Sequence, residues 1–213
     1  HRSAAGKRPA AAAAMSDILV LYYSRTGATQ ALAREVCAGV DSVRPMSARL
    51  RTVPPVSTVA EAVESDIPDD GPPYATAADR GECRALAMGS PTRFGNMAAP
   101  LKYFLDGTGS EWLAGHAAGK PAGVFTSTST LHGGQESTLL TMAVPLLHHG
   151  MLIVGLPYTD ERLSTTTTGG SPYGASHVSW NRSDDALSDD EKGLARALGK
   201  RVAEIARRLD ASA

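Results

Sequence analysis

The stretch Ile18-Leu19-Val20-Leu21-Tyr22-Tyr23-Ser24-Arg25-Thr26-Gly27-Ala28-Thr29 decides the fold. Its first half is an unbroken apolar run, the pattern of a strand covered on both faces. Its second half is short, hydroxylic or small around one glycine. Beyond it, Ala31, Leu32, Val36 and Val40 recur at helical spacing and predict a helix over 29–40. A buried strand that passes through a tight polar turn into an amphipathic helix is the first half of a βαβ unit.

The rest of the chain repeats the theme. Strands are predicted over 18–23, 48–53, 83–88, 121–126 and 151–154; Pro54-Pro55 ends the second and Gly89-Ser90-Pro91 the third. Helices are predicted over 96–105, 135–148 and 188–209. The last opens on Ser188-Asp189-Asp190-Glu191, which fits a capping box. Residues 56–80 are Pro-rich and acidic and read as a long connection, with a short helix near 75–81. Strands alternating with helices predict an α/β fold: a doubly wound, five-stranded parallel sheet with helices on both faces. Residues 15–213 are expected to form a single domain. Residues 1–14, with Arg2, Lys7, Arg8 and a short alanine run, are expected to stand outside it as an expression remnant or upstream extension.

Composition narrows the function. The 213 residues carry 21 Lys+Arg against 22 Asp+Glu, a net charge of -1. That balance speaks against a nucleic-acid binder, which shows a basic excess. Two cysteines, Cys37 and Cys83, cannot build a disulfide framework or a four-cysteine zinc site. They read as small core residues in a reducing, cytoplasmic compartment. No apolar run is long enough to span a membrane.

Open sheets of this class bind ligands beyond the carboxyl ends of their strands. After the first strand, Ser24, Thr26 and Thr29 supply hydroxyls at a helix N-terminus, and Gly27 lets the backbone come close. No lysine follows the glycine and no G-x-G-x-x-G is present, which excludes a triphosphate P-loop and a dinucleotide fingerprint. A terminal monophosphate remains. Plain N-capping by Thr26 or Thr29 also accounts for these residues. After the third strand, Pro91, Gly95 and Asn96 suit a turn and a helix cap, while Thr92, Arg93 and Phe94 add a cation and a ring. After the fourth, Ser127, Thr128, Ser129, Thr130, Leu131 and His132 form a loop rich in donors and poor in bulk. Three such loops on one sheet edge point to a shared site.

The blocks Gly-Ser-Pro-Thr-Arg-Phe-Gly-Asn-Met at 89–97, Gly-Gly-Gln-Glu at 133–136, His-His-Gly-Met at 148–151 and Pro-Tyr-Gly-Ala at 172–175 are specific. With Ser-x-Thr-Gly-x-Thr at 24–29 they resemble the WrbA family of NAD(P)H:quinone oxidoreductases, from about Asp17 to the final helix. The resemblance implies a flavodoxin-like fold with strand order 2-1-3-4-5, one noncovalent FMN, NADH or NADPH as co-substrate, and a homotetramer whose pocket is completed between subunits. It implies that Ser24, Arg25, Thr26, Gly27, Ala28 and Thr29 hold the FMN phosphate. Pro91, Thr92, Arg93, Phe94, Gly95 and Asn96 would line the ribityl chain and ring. Ser127 to His132 would cover the ring's other edge. Trp112, Thr26 and His148 would line the substrate pocket, His148 also lying against the flavin. Reduced nicotinamide would pass hydride to the flavin and leave, and a quinone would then take two electrons in the same place. Arg93 is expected to stabilise charge on the reduced ring, and His148 to orient or protonate the quinone oxygen.

The chain departs from the family at Thr26, where an aromatic residue is frequent, and in a longer hydroxyl loop containing Leu131-His132. Ordinary roles compete at single positions: Trp112 as a core anchor, His148 and His149 at a helix C-terminus, Arg93 paired with a carboxylate. The Thr/Gly-rich insert over 165–175, with Tyr173, reads as flexible and able to fold over a neighbour's site. A one-electron carrier of the flavodoxin type is the alternative function; the near-neutral charge counts against it, because such carriers dock through acidic surfaces. A repressor-binding scaffold, suggested by the family's historical name, has no support in the residues.

Overall fold

The computed structural model of the protein describes residues 17–56, 71–180 and 186–210. The expected tail over 1–14 and residues 57–70 of the expected connection lie outside the described residues. The chain runs β1 (Asp17–Tyr22), α1 (Ala28–Asp41), β2 (Ser47–Thr52), α2 (Ala77–Glu82), β3 (Ala85–Arg93), β4 (Asn96–Met97), α3 (Ala99–Asp106), α4 (Gly109–Leu113), β5 (Pro121–Thr128), α5 (Gln135–His148), β6 (Leu152–Ile153), α6 (Arg162–Thr165), β7 (Ala175–Val178) and α7 (Asp189–Asp210).

The sheet follows the path β2-β1-β3-β5-β6, all neighbours parallel, so the five predicted strands stand in the order 2-1-3-4-5. β1 shows why both faces are covered. Ile18, Val20 and Tyr22 point into one core with Leu32 and Val36 of α1 and Leu194, Leu198 and Val202 of α7. Leu19 and Leu21 point into the other, with Leu101 of α3 and Leu139, Met142 and Leu146 of α5. Each buried Leu or Phe side chain contributes about 1.5–3 kcal/mol relative to exposure. The strand's alternation therefore locks two helical layers onto one sheet. Cys83 is buried and Cys37 packs partly buried against the core, in keeping with their expected packing role. Burial pushes the two thiols up, Cys37 to about 12 and Cys83 to about 11.

Three features differ from the sequence-based expectation. β3 does not stop at Gly89-Ser90-Pro91 but continues to Arg93. Its last partner on β1 is Gly89, so Pro91 falls where that edge is open and a missing N–H is tolerated. Asn96 does not cap a helix. It pairs with Arg93 in the β3–β4 hairpin, and α3 begins at Ala99 with Ala98 as its N-cap. Finally, the fifth strand is split. β6 pairs with the start of β5 at Pro121 and Ala122, and β7 pairs with its end from Phe125 to Thr128.

The insert between the two halves is packed rather than loose. Leu156, Gly169 and Ser171 of the insert are buried, as are Ser176 and His177 of β7 that follows it. The Glu191 carboxylate accepts the Gly169, Val178 and Ser188 N–H groups and meets His177 Nδ1 at 2.9 Å. The predicted capping box is present as part of this bracket, because Glu191 N–H donates in return to Ser188 Oγ at 3.2 Å. Among the described residues, no helix is long and apolar enough to cross a membrane.

Candidate active site

The turn after β1 is set by Gly27, the N-cap of α1, at φ 103°. That left-handed conformation is one that side chains with a Cβ rarely adopt. Ser24 Oγ accepts the Gly27 N–H at 3.1 Å and closes the turn. Neither Thr26 nor Thr29 caps the helix, and no other side chain does. The first-turn N–H groups of α1 thus stand at the positive end of its dipole without a side-chain acceptor. Arg25 and Thr26 are exposed, and Ala28 and Thr29 are buried. Thr29 turns inward, its Oγ1 lying 2.8 Å from Ser127 Oγ at the end of β5.

The second loop is a tight hairpin. Thr92 pairs with Met97 and Arg93 with Asn96, leaving Phe94-Gly95 as a two-residue turn with φ values of 51° and 76°. Positive φ at both positions is the type I′ geometry that matches the twist of paired strands. Ser90 anchors its root: Ser90 Oγ accepts the Ala98 N–H at 2.8 Å, and Ser90 O accepts from Thr126 Oγ1 at 2.8 Å. The tip rests on α5, where Thr138 Oγ1 donates to Thr92 Oγ1 at 2.8 Å and Thr141 Oγ1 to Gly95 O at 3.3 Å. Phe94 is left wholly in solvent. Arg93 is exposed and bonds only the Thr92 carbonyl, at 2.7 Å; it makes no ion pair among the described residues.

In the third loop, Ser127 and Thr128 are buried at the end of β5, and Ser129, Thr130 and His132 are exposed. Gln135, the first residue of α5, is almost fully buried. Its Nε2 donates to the Leu131 carbonyl at 2.7 Å and its Oε1 accepts from Ser176 Oγ at 2.5 Å. The hydroxyl loop is therefore fastened to β7 through Ser176.

Trp112 and His148 meet. Trp112 Nε1 donates to the His148 carbonyl at 2.7 Å, and both line a groove of about 610 Å³ together with Asn96, Met97 and Val144. Thr26 does not line this groove. Beside His148, His149 Nε2 bonds Thr108 Oγ1 at 3.0 Å, and burial lowers its pKa. An adjoining groove of about 590 Å³ shares Asn96 and Met97 and adds Tyr23, Arg25 and Arg93.

The three loops thus come to one sheet edge, as the sequence predicts. The first and third meet through the Thr29–Ser127 hydroxyl contact, and the second rests on the start of α5 beside the third. The arrangement fits a flavin monophosphate: an uncapped helix start with nearby hydroxyls suits a phosphate, and a turn without bulk suits a planar ring beside it. Sequence reading missed the groups that hold these loops. Gln135 lay in plain view inside Gly-Gly-Gln-Glu, whereas Ser176 and Thr138 are ordinary hydroxyls whose partners lie 41 and 46 positions away, and Ser90 is a hydroxyl bonded to nearby backbone.

Comparison with known proteins agrees with this geometry. Residues 17–159 match the family described as NADPH-dependent FMN reductase. The chain is 41% identical over 204 residues to a protein of Solidesulfovibrio magneticus named NAD(P)H dehydrogenase (quinone), covering 92% of this chain and all of that one. It is 43% identical to a protein of the same name from Trichlorobacter lovleyi, with 92% of this chain and 100% of the relative covered. Among solved structures it resembles a flavodoxin, WrbA-like protein from Agrobacterium tumefaciens, with a TM-score of 0.65, 24% identity and coverage of 91% and 98%. The chain has the flavodoxin-like fold and belongs to the NADPH-dependent FMN reductase family, together with relatives named NAD(P)H dehydrogenase (quinone).

Proposed function

We propose that this protein reduces quinones by two electrons at the expense of NADH or NADPH, in a ping-pong sequence at an FMN held by the three loops. The observation that carries the reading is the joining of the first and third loops through Thr29 and Ser127 beside an uncapped helix start. FMN bound there supplies acceptance of a hydride from the nicotinamide and its onward transfer to the quinone.

The chain's own residues do the rest. Gly27 and Ser24 shape the turn that presents backbone N–H groups and hydroxyls to the phosphate. Pro91 to Asn96 form the ring's platform, and Ser127 to His132 its far border. Arg93 places positive charge next to the ring. Trp112 holds the end of α5 through the His148 carbonyl, which leaves the exposed His148 imidazole at the groove to orient a quinone oxygen and move a proton to it.

The reading includes a single FMN-binding unit over 15–213, a cytoplasmic setting and a homotetramer. Support for assembly comes from α5, where Leu140, Val144 and Leu147 form an exposed apolar stripe at helical spacing. Light scattering of the purified protein is expected to give a mass of four chains.

The test is a visible spectrum followed by anaerobic NADH and then benzoquinone. Flavin bands that bleach in one step and return with the quinone are the expected result. Flavin that ignores NADH would favour the one-electron carrier, and a protein that binds no FMN would end the proposal.

A further inference from the structure

The short helix α4 carries Trp112 to the groove at His148, yet none of its five residues is buried and no side chain caps it. A cavity of about 70 Å³ lies beneath it, lined by Glu111 together with Leu86 of β3, Leu105 of α3 and Leu146 of α5. Leu86 stays only partly buried although it stands in the central strand. Apolar packing therefore does not fix where α4 lies. Polar ties do. Thr108, at its root, meets His149 Nε2 at 3.0 Å. Trp112 bonds the His148 carbonyl at 2.7 Å. A third tie runs from Glu111, the residue before Trp112, to Arg80 of α2, whose Nη2 donates to Glu111 Oε1.

The tie to Arg80 is anchored at both ends. α2 opens on the Thr76–Asp79 capping box, and Asp79 is buried and pairs with Arg49 and Arg51 of β2 at 3.3 and 3.0 Å. Arg80 thus projects from a fixed element. Its guanidinium lies over the Phe104 ring, 4.9 Å from the centroid, and its Nε is buried without a hydrogen-bond partner. Glu111 takes a second bond from Ser110 Oγ at 2.8 Å. The two side chains of the pair are only 21% and 16% exposed. A lone surface pair contributes little to stability, whereas one that is stacked, shielded and joined to further bonds fixes geometry. The bond from Arg80, with that from Ser110, holds the Glu111 carboxyl at about 2, so the pair stays charged throughout the neutral range.

We infer that Arg80 and Glu111 are positioning residues for Trp112 and so set one wall of the quinone groove. The inference rests on the placement of the quinone at Trp112 proposed above. Neither Arg80 nor Glu111 lines that groove. Because α4 buries nothing, breaking the pair leaves the fold and the flavin in place and frees Trp112 to leave the wall.

The experiment uses FMN-loaded enzyme at saturating NADH, as the wild type, Arg80→Gln, Glu111→Gln, the double variant and Arg80→Lys. The KM for benzoquinone is expected to rise about 5-fold in each Gln variant while kcat stays within about 2-fold, the signature of lost binding rather than lost chemistry. The double variant should match either single one, because both act through one contact, and Arg80→Lys should recover part of the loss. Benzoquinone is uncharged, so added salt is expected to raise its KM in the wild type and not in the Gln variants. FMN affinity and the urea midpoint should hold. The chain has two tryptophans, so holoenzyme grown with 5-fluorotryptophan gives two fluorine resonances, assigned with Trp112→Phe. The Trp112 resonance is expected to move in both Gln variants. A resonance that stays in place in both overturns the inference, and so do KM effects that add in the double variant. A resonance that moves while the KM holds upholds the brace and overturns the placement of the quinone at Trp112. A wild type that reduces no quinone overturns the proposed function, and the resonance still reads the brace.

Discussion

Thr29 Oγ1 and Ser127 Oγ stand 2.8 Å apart, although the residues are 98 positions apart in the chain. The contact ties the first turn of α1 to the end of β5, so the two loops bordering the flavin edge cannot drift independently. Removing one hydroxyl leaves the other buried without a partner, which costs about 1–3 kcal/mol. Thr29→Val is expected to weaken FMN binding about 10-fold in a fluorescence titration and to lower the unfolding free energy by about 1 kcal/mol. A variant with native FMN affinity would remove the contact from the site.

Gln135 links Leu131 to Ser176 through both ends of its amide. Gln135→Leu keeps the bulk but removes the donor to the part-buried Leu131 carbonyl and leaves the buried Ser176 hydroxyl proton without its acceptor, Ser176 Oγ keeping only the Gly170 N–H. The expected outcome is a stability loss of about 2–4 kcal/mol in urea unfolding and an FMN site that loses affinity even where the protein is fully folded. Proteolysis within the 129–134 loop should rise in parallel. Unchanged loop protection would show that the amide braces nothing beyond its own helix.

Glu191 sets a pH dependence. Burial pushes its carboxyl up, but the bond to His177 and those from backbone N–H groups outweigh it and hold it at about 2, against 4.5 for a free glutamate. Its folded-state pKa is depressed, so its contribution, about 3 kcal/mol, is complete above pH 5 and disappears as the pH falls toward 2. The stability gap between the wild type and Glu191→Gln is expected to be wide at pH 6 and to narrow steadily in acid. A gap that stays constant from pH 6 to pH 3 would contradict the depressed pKa.

His148 is exposed at the end of α5, where only its backbone carbonyl is engaged, by Trp112. His148→Ala should therefore keep the fold and the flavin. Turnover of benzoquinone is expected to fall at least 10-fold, within the usual reach of a positioned acid–base group. Flavin reduction by NADH, followed in a stopped-flow half-reaction, should change much less. Equal losses in both half-reactions would place His148 on the nicotinamide side.

Gly89 sits in the central row of the sheet, paired with Tyr22 on one side and Phe125 on the other. A Cβ there would lie 2.0 Å from Phe125 Cε2. Gly89→Ala is expected to cost about 2 kcal/mol or more, since the ring has no room to withdraw in a packed core. Phe125→Leu should recover part of that loss in the double variant. Additive losses would show that the ring is not the obstacle.

The amino-acid sequence by itself determined the layered architecture, because unbroken apolar strand runs and helices of period 3.6 are local patterns that a parallel sheet between two helical layers buries. It also placed the loops at the ligand edge, since Ser24 to Thr29, Pro91 to Asn96 and Ser127 to His132 each follow directly on a strand. Tertiary structure decided what each loop residue does. Asn96 became a hairpin partner rather than a cap, because the Phe94-Gly95 turn could settle on α5. Thr29 became a tie to Ser127 rather than a cap, because Gly27 already turned the chain. The split edge strand and the Glu191–His177 bracket depend on residues brought together from opposite sides of an insert. Hydrogen bonds of that kind are fixed by distance in space, and side chains as common as Ser, Thr and Gln carry no mark in the chain of the partners they will find.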